Sequence, residues 1–187
     1  EGGDFISADD ISFIGRGLRT DKRAVHELLK NNVFGTEYVA VVKDGWENQQ
    51  EMHLDTYFNI IGPKLAVLSE WRLSGEKKGV EKDKATRLDL YQLTGDKYDL
   101  IAEDLNFYEY LVERGFKVIP VSESDQLKYG INFLTIRENR ILAIDGVSED
   151  YKQRLRDAGV DATWMDFSAL TQAYGAAHCL TQVLFRQ

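Results

Sequence analysis

Asn132-Phe133-Leu134-Thr135-Ile136, then Arg137-Glu138-Asn139, then Arg140-Ile141-Leu142-Ala143-Ile144, is the stretch whose reading decides the fold. Two runs of apolar and β-branched residues flank a polar three-residue turn, the pattern of a hairpin. Directly after it, Ser148-Glu149-Asp150 supplies the residue types of a helix start, and Gly159 supplies the residue that ends a helix running to Ala158. Ala162-Thr163-Trp164-Met165-Asp166 then reads as a strand. A helix between strands is what a parallel return requires. The unit is therefore strand, strand, helix, strand, an α/β building block.

The same unit is found upstream. Asp4-Phe5-Ile6-Ser7 and Ile11-Ser12-Phe13-Ile14-Gly15 flank an Ala8-Asp9-Asp10 turn. Thr20-Asp21 can cap a helix with Ala24, Val25, Leu28 and Leu29 on one face, and Tyr38-Val39-Ala40-Val41-Val42 follows as a strand. A second copy is expected to begin with one strand over 53–61, to turn at Gly62-Pro63 and to return through Leu65-Ala66-Val67-Leu68. Its helix is expected over about 102–114, with Leu105, Tyr108, Leu111 and Val112 as the apolar stripe, before a strand at Phe116-Lys117-Val118-Ile119-Pro120-Val121. Residues 70–101 read as a charged insertion containing one strand, Arg87-Leu88-Asp89-Leu90-Tyr91, with Glu76-Lys77-Lys78-Gly79 as a solvated loop. After Ser168-Ala169-Leu170, residues 175–186 read as a small-residue turn and a strand, the opening of a fourth unit. The whole of 1–187 is expected to form one α/β repeat domain of about three and a half units.

The composition bounds the function. The chain has 187 residues, 43% hydrophobic and 29% charged, as soluble globular proteins do. Its 31 acidic and 23 basic residues give a net charge of -8, which argues against general nucleic-acid binding and does not repel a small cation. No apolar run approaches the roughly 20 residues of a membrane span, and EGGDFISADD lacks the features of a signal peptide. One cysteine excludes an internal disulfide. A cytoplasmic protein without membrane or nucleic-acid partners is expected.

Few residues can carry chemistry. Cys179, preceded by His178, follows Gly175-Ala176-Ala177, where the lack of bulk lets a ligand or backbone approach. The thiol is compatible with a buried hydrophobe or with a nucleophile, depending on its pKa. His53 and Asp55 stand at i and i+2 in the run read as a strand, which would project both from one face. Glu1 is a further acid beside Gly2-Gly3-Asp4. His53, Asp55, His178 and Cys179 include zinc-ligand types, but the spacing lacks C-x-x-C and H-x-x-x-H, and His178 and Cys179 would point oppositely on a strand. There is no G-x-S-x-G elbow, dinucleotide fingerprint or phosphate loop.

Taken in order, Glu1-Gly2-Gly3-Asp4, Gly15 through Arg19-Thr20, Met52-His53-Leu54-Asp55-Thr56, Gln126 with Gly130 and Asn132, and Gly175 through His178-Cys179 resemble the catalytic part of the arginine deiminases, guanidine-modifying enzymes of the pentein superfamily. The resemblance implies a propeller of five ββαβ units. It implies Cys179 as nucleophile, His53 as proton carrier, Glu1 and Asp55 as guanidinium-gripping carboxylates, and Arg19, Asn132, Tyr174 and His178 as substrate-binding residues. It implies hydrolysis of L-arginine to citrulline and ammonia through a thiouronium intermediate, with no cofactor and no metal. This chain departs from the pattern in two places. Tyr174 stands near where the family carries a second carboxylate-binding arginine, and Ala176 and Ala177 stand where glycines are common. Agmatine and substituted arginines therefore stay beside arginine as substrates, and an amidinotransferase or a non-catalytic guanidine binder stays beside the hydrolase. The family's upstream F-T-R-D segment has no counterpart here. A complementary N-terminal chain or a homo-oligomer is expected to complete the propeller.

Overall fold

The computed structural model describes residues 1–46, 49–74, 86–181 and 183. The Glu76–Gly79 reading and the end of the expected last strand lie outside the described residues.

In the first unit, β1 (Phe5–Ala8) pairs antiparallel with β2 (Ile11–Arg16), α1 (Lys22–Lys30) crosses over, and β3 (Tyr38–Lys43) pairs parallel with β2. The Asp21 side chain accepts from the Ala24 amide and starts α1. In the second unit β4 (Phe58–Gly62) and β5 (Leu65–Ser69) form the hairpin, α2 (Glu70–Ser74) follows, and β8 (Lys117–Val121) closes parallel to β5. Between them lie β6 (Arg87–Thr94), β7 (Lys97–Asn106) and α3 (Phe107–Glu113). After α4 (Glu123–Gln126), the third unit repeats the topology with β9 (Leu134–Arg137), β10 (Arg140–Ile144), α5 (Glu149–Asp157) and β11 (Asp161–Met165). Ser148 caps α5 and Gly159, at φ +79°, ends it, as the sequence predicts. A short α6 (Ser168–Thr171) comes last.

Two expectations for the second unit are corrected. Residues 102–106 belong to β7, so α3 begins only at Phe107, where Asn106 caps it through the Glu109 amide. The insertion also contributes two strands. The β6–β7 hairpin adds to the first unit's sheet in the order β1-β2-β3-β6-β7. Cross-strand pairs such as Leu88 with Leu105 and Leu90 with Ala102 decide the matter, because packing against a partner strand overrides local preference.

Apolar faces join the units. Phe13, Phe58, Phe107 and Phe116 form an edge-to-face cluster between the first two, with centroids 4.9 to 6.3 Å apart. Ile61, Val67, Ile119, Phe133, Ile141, Tyr151 and Leu155 pack between the second and third. Polar links reinforce that second seam. Asn59 Nδ2 donates to the carbonyls of Ile131 and Phe133 at 2.9 Å each, and Thr135 Oγ1 donates to the Ile60 carbonyl. The first strands of the units are neighbours, β4 lying between β1 and β9. No described helix is long and apolar enough to cross a membrane.

Candidate active site

The segments just before these first strands, one per unit, meet at one end of the molecule. Residues 2–4 before β1 and 54–56 before β4 are short 3-10 turns. Asn132 precedes β9, and Cys179 sits in a turn over 177–180.

The first two turns are held together by a buried carboxylate. Asp4, 3% exposed, accepts from Thr20 Oγ1 at 2.5 Å and from the Leu54 amide at 2.9 Å. Burial raises its pKa above the ordinary range, against the pull of these two hydrogen bonds. Two glycines make room. A Cβ at Gly15 would lie 2.4 Å from Asp4 Oδ1, and one at Gly3 would lie 2.9 Å from His53 Nδ1 and 3.0 Å from Asp55 Oδ1. At both places the backbone must come closer than any side chain allows.

His53 and Asp55 were expected on one face of a strand. That is corrected: His53 caps the 3-10 turn that contains Asp55, and β4 starts only at Phe58. The two side chains still converge. His53 Nε2 meets Glu1 Oε2 at 2.6 Å, and this hydrogen bond is the main cause of a lowered Glu1 pKa, the Arg19 charge adding a smaller pull. Asp55 is fully buried. Its Oδ2 lies 2.8 Å from His178 Nδ1 and accepts from Cys179 Sγ at 3.3 Å. The expectation that His178 and Cys179 diverge on a strand is thus corrected too. A turn lets both reach the same oxygen.

Asn132, fully buried, organises the thiol loop. Its Oδ1 accepts from the Ala176 amide at 3.0 Å and the Cys179 amide at 3.2 Å. Its Nδ2 donates to the Asp55 carbonyl at 3.2 Å and faces Cys179 Sγ at 3.1 Å, while its own carbonyl accepts from the His178 amide. Gly175 lies under the thiol, since a Cβ there would stand 2.8 Å from Cys179 Cβ. Arg19 is exposed in the loop next to Thr20, and Tyr174 is 53% exposed with φ +64°. Among the described residues neither side chain has a hydrogen bond within the chain. The buried Asp4 and its Thr20 partner carried no signal of their own in the sequence beyond the E-G-G-D and R-T pieces.

Electrostatics define what the cluster can do. Burial, and next the Asp55 charge, push the Cys179 thiol up to about 12. Both causes favour the neutral thiol, which stands beside the Asp55 carboxylate. A bound cation would reverse the second cause and favour the thiolate. Ligand atoms of His53, Asp55 and Cys179 lie within 4.8 Å of one another, close enough to share a metal ion, which would take the thiol as a thiolate.

Comparison with known proteins identifies the family of this fold. Residues 1–186 match the arginine deiminase family model, and the chain belongs to that family. It is 33% identical to an arginine deiminase of Halobacterium salinarum over 97% of this chain and 42% of that protein. Among solved structures, the N-terminal domain of ArgZ bound to product, an arginine dihydrolase from cyanobacteria, superimposes with a TM-score of 0.66 at 19% identity, covering 96% of this chain and 54% of that one. SxtG, an amidinotransferase from Microseira wollei, gives a TM-score of 0.62 at 14% identity over 95% and 45%. These two likenesses show a shared α/β fold. The chain spans about half the length of the curated relatives it matches.

Proposed function

We propose that this chain carries the nucleophile half of a guanidine hydrolase acting on L-arginine, releasing ammonia and citrulline, within a single domain that the remaining units of a five-unit propeller complete. The observation that supports it most is the Cys179 thiol 3.3 Å from a fully buried carboxylate, with a histidine–carboxylate pair alongside. A guanidinium offers only hydrogen-bond donors, so Asp55 and Glu1 are matched to it as acceptors. Its positive charge offsets the Asp55 charge, the second cause of the raised thiol after burial, and with substrate bound Cys179 passes its proton to His53 and becomes the thiolate.

The thiolate attacks the guanidinium carbon and a C–S bond forms. His53 gives a proton to the departing nitrogen, the C–N bond breaks, and ammonia leaves a thiouronium on the sulfur. Water then attacks the same carbon while His53 takes its proton. The C–S bond breaks, the thiolate is restored and the ureido product leaves. Arg19, exposed at the rim, is suited to the substrate carboxylate, Tyr174 to its tail, and Asn132 and His178 to holding the thiol and Asp55.

The test is ammonia release by the longest natural form of the protein from arginine and, separately, from agmatine, with Cys179→Ala as blank. Release from arginine that the blank lacks is the expected result. Release from agmatine alone moves the substrate to a decarboxylated one. Silence with both sinks the hydrolase, and amidino transfer to an added amine in that case identifies a transferase.

A further inference from the structure

Arg72, in α2, has no exposed side-chain surface. Its Nη1 and Nη2 donate to Asp44 Oδ1 at 3.1 and 3.2 Å, Nη1 to Thr86 Oγ1 at 2.7 Å, and Nη2 to Glu51 Oε2 at 2.9 Å. The guanidinium carbon lies 3.5 Å from the centroid of the Tyr57 ring and 4.2 Å from that of Trp71. Glu51, 4% exposed, also accepts from Gln126 Nε2 at 2.7 Å, and Gln126 accepts from Trp71 Nε1 at 3.2 Å.

Two of these partners bracket the heptapeptide 51–57, which carries His53 and Asp55. Arg72 bonds the first residue and stacks on the last. Between them the backbone belongs to no sheet ladder or α-helix, and its local bonds are those of one 3-10 turn and the Thr56 hydroxyl on the His53 carbonyl. Asp4 holds its middle at the Leu54 amide and Asn132 at the Asp55 carbonyl, and Arg72 holds its two ends. The third partner extends the grip. Asp44 stands against Gly17, where a Cβ would lie 3.1 Å from Asp44 Cβ, and its amide donates to the Arg16 carbonyl at 2.8 Å. The same guanidinium thus anchors the root of the loop that carries Arg19 and Thr20.

We propose that Arg72 is a positioning residue of the active site, stapling both ends of 51–57 and thereby fixing Asp55 and His53 against Cys179. The proposal rests on the reading of that cluster as the working site. Arginine suits the task because a planar fork reaches two carboxylates at once and stacks on aromatic rings, which an ammonium does not. Without it two buried carboxylates repel, and Glu51 moves with His53 two residues away. Displacements of about 1 Å cost on the order of 100-fold in rate.

The experiment compares Arg72→Lys and the near-isosteric Glu51→Gln with wild type, in the longest natural form. Circular dichroism and a thermal melt check folding, and two readouts follow: the pH profile of Cys179 alkylation by iodoacetamide, and kcat for guanidine hydrolysis. Withdrawal of Asp55 from the sulfur is expected to move the alkylation midpoint down and to speed alkylation at pH 8 at least about threefold, while kcat falls by about 10- to 100-fold. Should Arg72→Lys not fold, Glu51→Gln decides alone. A merely structural role lowers the melting temperature and leaves the alkylation profile in place. That result, in a folded variant, overturns the proposal whatever kcat does. A shifted profile in a protein whose wild type hydrolyses no guanidine upholds the role of Arg72 and removes the hydrolase reading instead.

Discussion

Replacing Asp55 with Asn should make Cys179 more reactive toward a neutral alkylating agent and less able to turn over a guanidinium. The two effects have opposite signs because Asp55 acts oppositely on the empty and the occupied site. Asp55 Oδ2 lies 3.3 Å from Cys179 Sγ. At that separation a carboxylate raises the energy of a thiolate by about 1 kcal/mol in a water-like dielectric and by about 5 kcal/mol at an effective dielectric of about 20. In pKa this is about 1 to 4 units. Taking about 2, the thiol falls from about 12 toward about 10, because burial, the first cause of its elevation, remains. The thiolate fraction at pH 8 then rises about 100-fold. A less basic thiolate is intrinsically slower, by roughly 6- to 10-fold for a coefficient near 0.4 to 0.5. The net expectation is alkylation by iodoacetamide about tenfold faster at pH 8. Turnover should drop by at least about 100-fold, since one arm of the guanidinium grip is gone. A folded Asp55→Asn protein that alkylates no faster than wild type would refute the reasoning, for then Asp55 does not govern the thiol.

Three further outcomes are expected. Gly15→Ala places a Cβ 2.4 Å from Asp4 Oδ1 and 3.1 Å from Leu54 Cβ, which should lower stability by about 1–3 kcal/mol, read as a lower urea midpoint. Asn132→Ala strips the buried amides of Ala176 and Cys179 of their acceptor, and a loss of about 2–4 kcal/mol in the same titration is expected. Stability should also fall in alkali. The folded thiol is raised from its ordinary 9.0 to about 12, so its contribution is intact below about pH 9 and is lost as pH climbs toward about 12. Tyr110, also pushed up to about 12, acts in the same direction. Cys179→Ser should flatten the slope by the thiol's share, and urea midpoints of the two proteins at pH 8, 9.5 and 10.5 measure it.

The repeat was legible because each unit announces itself locally. An Asn139 or Asp9 turn at positive φ, a capping Asp21 or Ser148, and a terminating Gly159 are signals within a few residues of what they specify. The errors arose where distant partners decide. Residues 102–106 have helix-compatible spacing, and only their pairing with 87–90 makes them a strand. His53 and Asp55 were singled out on alternation, but their convergence comes from a turn tied to Asp4, 50 residues upstream of Leu54. The scaffold bonds of Asn132 and the cage around Arg72 have no sequence spacing at all. Glu51, Gln126 and Thr86 meet only after two units have docked.

Gathering the site from segments far apart in the chain has a consequence for the thiol during folding. The bond between Cys179 and Asp55 spans 124 residues and the one between Asn132 and Asp55 spans 77, so no partly assembled chain possesses the environment that keeps the thiol protonated. In such a chain neither burial nor the Asp55 charge raises the Cys179 thiol, so denatured protein should be alkylated by iodoacetamide faster at pH 8 than the folded form.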